Sequence, residues 1–116
     1  MSNSITDAEK FELIKQEVLE AWQKGHGWSS DEIHIFQGED GFVIMIPRAL
    51  YQAELELYSN SPGGGRVLNQ YIRTILDIIV ADFVPKVENI IGVEVKQVIP
   101  LIDMDAGWAM AFFKTN

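Results

Sequence analysis

Residues 42–46, Phe-Val-Ile-Met-Ile, constrain this chain more than any other segment. Five apolar residues rich in β-branched side chains, bounded by Gly41 and Pro47, read as a strand. Alternation puts Phe42, Ile44 and Ile46 on one face and Val43 and Met45 on the other. Both faces are apolar, so the strand requires cover on both sides or a partner chain. Residues 108–114 pose the same problem, with Met110 and Phe112 on one face and Ala111 and Phe113 on the other. The chain has 116 residues, the size of one domain of two layers. A two-layer domain leaves the second apolar face wanting cover, and a homo-oligomer supplies it.

The remaining segments predict what stands beside those strands. Thr6 with Glu9 fits a capping box, and Phe11, Ile14, Val18 and Trp22 then recur on one helical face until Gly25. Residues 25–30 read as a loop. Residues 33–36 form a strand joined to 42–46 by Gly38-Glu39-Asp40-Gly41, a hairpin turn. Leu50, Ala53 and Leu57 give a short helix over 49–58, and residues 59–65 a loop rich in glycine. Arg66 opens a long helix with a wide apolar surface (Val67, Tyr71, Ile75, Ile78, Ile79, Val84), which reads as nearly buried. Pro85 is expected to kink or restart it near Asp82, and Gly92 ends it. An alternating strand over 93–101, a turn over 103–107 and the closing strand complete the order α-β-β-α-α-β-β. The expected fold is α+β: a two-layer sandwich in which helices pack a mostly antiparallel four-stranded sheet. The reading is one domain over 1–116, with the extreme N-terminus, about 1–5, disordered.

Composition excludes several functions. The chain has no cysteine, which removes disulfides, thiolate metal sites and cysteine nucleophiles. Nine basic against 17 acidic residues give a net charge of −8, and no basic run offsets it, so nucleic acid is not an expected partner. No signal peptide is legible. The most aliphatic segment, 75–84, is broken by Asp77 and Asp82 and is too short to span a bilayer. A cytoplasmic protein without direct membrane insertion is expected.

The chemistry-bearing residues are sparse. Gly63-Gly64-Gly65-Arg66 before a helix offers amides and a guanidinium to an anion, but lacks the spacing of a P-loop. Asp103-Met104-Asp105-Ala106-Gly107 resembles the start of a calcium loop, yet Lys114 stands where the closing glutamate belongs, so a hairpin turn is preferred. His26 and His34 are eight residues apart, unlike a zinc-binding helical pair; they read as a loop and a strand histidine with no common task. A hydrolase using His26, His34 and Asp103 would need bound metal. Glu54 and Glu56 point to different sides of a helix and form no acid–base pair. Aromatics are numerous for a small domain, and aromatics with arginine concentrate binding energy at protein surfaces.

The leading expectation is therefore a non-enzymatic accessory or interaction protein, homodimeric, with no catalytic residue, cofactor or metal. Its candidate binding residues are Gly64, Gly65, Arg66, Arg73, Trp28 and Tyr71. Arg66 and Arg73 lie seven apart on one helix face, placed to meet a partner's carboxylate or phosphate. The alternative is a sensor or enzyme for an anionic metabolite, with a pocket at residues 63–66 and Tyr71 at its edge.

The pattern also resembles the MpsC-like domain family over residues 7–114. The matching residues are Ala53-Glu54, Gly65-Arg66, Arg73, Pro85, Ile91-Gly92-Val93, Asp103 and Gly107. Gly25-His26-Gly27-Trp28 departs from the family's Gly-x-Gly-Pro, and Tyr51-Gln52 from its Thr-Pro. That family is associated with a sodium-translocating, membrane-potential-generating system. The resemblance implies a small soluble accessory protein rather than a transporter, and the partners expected are a second copy of the chain and another protein or membrane-complex subunit.

Overall fold

The computed structural model describes residues 7–27 and 32–116. Its elements are α1 (Asp7–His26), β1 (His34–Gln37), β2 (Gly41–Ile46), α2 (Gln52–Asn60), α3 (Gly64–Ile91), β3 (Gln97–Asp103) and β4 (Trp108–Lys114). The order is the expected one, and the four strands form one antiparallel sheet ordered β1-β2-β4-β3. The two segments that are apolar on both faces thus become its central pair. The Thr6 cap and the expectation for residues 1–5 lie outside the described residues.

One sheet face carries the core. Phe42, Ile44 and Ile46 of β2 and Ala109, Ala111 and Phe113 of β4 are buried against the helices. α1 contributes Ile14, Val18, Ala21 and Trp22, and α3 contributes Leu68, Ile72, Leu76, Ile79, Phe83 and Val87, each set recurring every three or four residues. Phe113 stacks on Phe42 at 5.1 Å and meets Phe83 edge-on at 5.5 Å. Between these layers the free space is about 20 Å³, room for roughly one water molecule, so among the described residues this part of the core has no space for a larger ligand.

Several local expectations need correction. α1 runs one residue past Gly25, because His26 falls four residues after Trp22 and extends the buried stripe by a turn. The short helix occupies Gln52–Asn60 rather than 49–58: Leu50 is buried ahead of it, and α2 buries no residue fully. α3 is not nearly buried, since Val67, Tyr71 and Ile78 lie in solvent and only one stripe is used. α3 also continues through Pro85 without a break. Pro85 and Ala81 are exposed, so water solvates the carbonyl that the proline leaves unbonded. β3 begins at Gln97, not at residue 93, because the Val95 amide is drawn to the Glu88 carboxylate at 2.8 Å instead of a strand.

Candidate functional site: the open face of the sheet

The second face of the sheet has no helix over it among the described residues. Strand register sets its side chains in two rows that cross all four strands. One row is His34, Met45, Met110 and Leu101; the other is Phe36, Val43, Phe112 and Ile99. Trp108 and Asp103 close one end, Lys114 and Gln97 the other. Phe36 and Leu101, on the two edge strands, are each 58% exposed. Val43, Met45, Met110 and Phe112 are half-buried. Four strands at ~4.8 Å spacing and five residues at ~3.3 Å each make a patch of roughly 300 Å² in plan. An apolar patch of ~300–600 Å² is the largest a typical monomer exposes, and patches of this size are often binding sites.

The sequence candidates lie elsewhere and do not form one site. Trp28 lies outside the described residues. Arg66 and Arg73 are both exposed, on one side of α3, about 10 Å apart along the axis, and among the described residues neither forms an ion pair. Tyr71 is turned about 140–160° from them around the helix, so it does not border an arginine site; it shares a side with Val67 and Ile78. The glycines have structural tasks. Gly63 takes a left-handed φ of 73° at the start of α3, and its carbonyl accepts the Val67 amide. A Cβ on Gly64 would run into the Leu57 carbonyl, and one on Gly65 would lie 3.1 Å from the Tyr58 ring. The glycine run is thus the corner that lets α2 turn tightly into α3.

A buried polar cluster was missed by sequence reasoning. The His26 side chain is fully buried, and its Nε2–H donates to both oxygens of Glu54 at 2.9 and 3.0 Å. Glu54 also accepts the Tyr51 amide at 2.7 Å, so one carboxylate caps α2 and clips it to the end of α1. The imidazole lies between Trp22 at 4.7 Å and Tyr51 at 5.0 Å. Its Nδ1 is buried and has no hydrogen-bond partner among the described residues. The Trp22 indole donates to the Ala49 carbonyl at 3.2 Å. The available signal was the run Ile14, Val18, Trp22, His26 at four-residue spacing.

The remaining polar groups are dispersed. His34 stands on the open face, 3.6 Å from Glu32, while His26 is buried on the helix side, so the two imidazoles cannot share a metal. Among the described residues no three histidine, aspartate or glutamate side chains group as cation ligands. Asp103 accepts the Asp105 and Ala106 amides at 3.1 Å and so makes the turn between β3 and β4. Tyr58 donates to Asp105 at 2.9 Å, tying α2 to that turn. This hydrogen bond, with the adjacent negative charge, raises the phenol above its ordinary 10.0. Among the described residues no helix is long and apolar enough to cross a membrane.

No family model, no curated protein and no solved structure matches this chain. The MpsC-like resemblance therefore rests on the residues named for it.

Proposed function

We propose that this chain is a non-enzymatic accessory or interaction protein that acts as a homodimer through the open face of its sheet. The observation that carries this reading is the pair of cross-strand rows: eight positions, seven of them apolar, with no helix over them among the described residues. Burial of that surface is worth about 25 cal/mol per Å², the dominant favourable term in most protein association. Arg66 and Arg73 remain free to meet a further partner, such as a subunit of a membrane complex. A cytoplasmic location and the accessory role implied by the MpsC-like resemblance agree with this reading. The anionic-metabolite alternative is less well supported, because residues 63–66 form a packed helix corner and Tyr71 faces away from the arginines.

Two single substitutions test the proposal. Leu101→Asp puts a charge on the face at its β3 edge, whereas Ile78→Asp puts one on α3, at a large aliphatic that is 63% exposed. Size-exclusion chromatography with light scattering is expected to give a monomer for Leu101→Asp and a dimer for Ile78→Asp. The opposite pattern would move the interface to α3.

A further inference from the structure

The sulfur atoms of this chain do not stand alike. All are methionine thioethers, because the chain has four methionines and no cysteine. Met1 lies outside the described residues, and Met104 is packed in the core at 8% exposure. Met45 of β2 and Met110 of β4 are half-buried and occupy directly opposed register positions. Opposed residues on one sheet face hold their Cβ atoms about 4.5–5.5 Å apart, so the two thioethers are neighbours. Strand alternation separates them from the core. Ile44 and Ile46 flank Met45, Ala109 and Ala111 flank Met110, and all four flanking residues are buried on the helix side.

A thioether is oxidised where a peroxide can reach it. Its sulfur lone pair attacks one oxygen of hydrogen peroxide, the O–O bond breaks, and the other oxygen takes up a proton and leaves as water. The sulfur loses two electrons, the peroxide gains them, and an apolar side chain becomes a polar sulfoxide. Burying the new S=O oxygen away from a donor is unfavourable. Oxidation therefore turns the centre of the open face towards water. The backbone pairing of β2 with β4 uses no sulfur, and the core side chains of both strands lie on the opposite face.

We propose that Met45 and Met110 form a peroxide-modified pair that switches the open face from apolar to polar while the fold stays intact. The co-reactant is hydrogen peroxide or another two-electron oxidant of its class. The switch is a property of the single chain and does not depend on which surface meets that face. Met104 is the internal contrast, since its sulfur has the same chemistry without the access.

Peroxide treatment of the full chain in dilute solution, followed residue by residue with mass spectrometry, tests this directly. Met45 and Met110 are each expected to gain one oxygen about 10-fold faster than Met104. The oxidised chain is expected to keep its far-ultraviolet circular dichroism and its cooperative melting. It is also expected to bind several-fold less Nile red, an uncharged dye that reports apolar surface. The double variant Met45→Leu, Met110→Leu keeps the apolar volume and removes both sulfurs, and its dye binding is expected to be the same before and after peroxide. Oxidation of Met104 as fast as the pair, or unfolding of the oxidised chain, would overturn the proposal. So would dye binding that is absent before oxidation, that is unchanged after it, or that peroxide lowers equally in the leucine variant.

Discussion

His26 and Glu54 show how much two polar side chains can organise in a small core. Glu54 accepts from the His26 ring and from the Tyr51 amide, so its loss frees a buried donor and uncaps α2 together. Glu54→Ala is expected to destabilise the fold by about 2–4 kcal/mol. Glu54→Gln retains an acceptor oxygen for both donors and is expected to cost about 1 kcal/mol or less. Urea denaturation of the two variants checks this, and near-parental stability in Glu54→Ala would remove the cluster's structural role. Neither partner announced itself in the sequence. His26 sits between two glycines and reads as a loop residue, and Glu54 is 28 positions away on a different helix. Their pairing is a product of α1 and α2 meeting end to end, which local patterning does not encode. Arg66 and Arg73 are the reverse case: their seven-residue spacing alone places them on one face of a helix.

At the scale of elements, strands were legible where apolar alternation was strong and turn residues bounded them. β4 follows its expected limits, and β2 differs from its own by the addition of Gly41. Helix limits moved where side chains from other elements intervened. Leu50 looked helical from its spacing with Ala53 and Leu57, yet it is a core residue reached before α2 begins. Val93 and Val95 alternate like a strand, but the Glu88 carboxylate holds the Val95 amide. The contact between α2 and the turn after β3 gives a pH-dependent prediction. Tyr58 is held above its ordinary pKa in the folded chain, mainly by donating to Asp105. The folded state thus retains this proton more tightly than the unfolded state. The stabilisation is present in full below the ordinary tyrosine pKa and is lost as pH rises through the raised folded value. The parent's melting temperature is therefore expected to fall more between pH 9 and pH 11.5 than that of Tyr58→Phe. Equal slopes for the two proteins, measured by circular dichroism, would mean that the Tyr58–Asp105 bond contributes nothing in solution.

At the scale of the molecule, the sequence exposed the deficit before the structure located it. Two strands apolar on both faces need cover on both sides, and a two-layer domain supplies it on one. What the sequence could not show was which face the helices would take. That follows from register: Phe42, Ile44, Ile46, Ala109, Ala111 and Phe113 align on one side and are buried against the helices. Met45 and Met110 are then left side by side at the centre of the open face, where flexible thioethers adapt readily to a partner surface. The α3 stripe of Val67, Tyr71 and Ile78 is also exposed, but it is a single helix flank rather than four strands in register.

The most direct measurement is the rate at which dilute peroxide oxidises Met45 and Met110, followed by mass spectrometry at protein concentrations below and above dimerisation. Met104, already buried within the monomer, serves as the internal reference. Closure of the sheets predicts that Met45 and Met110 become several-fold slower to oxidise as the dimer forms, while Met104 does not change. Dimer formation with Met45 and Met110 oxidising as fast as before would contradict the account, because the open face would then still be bare.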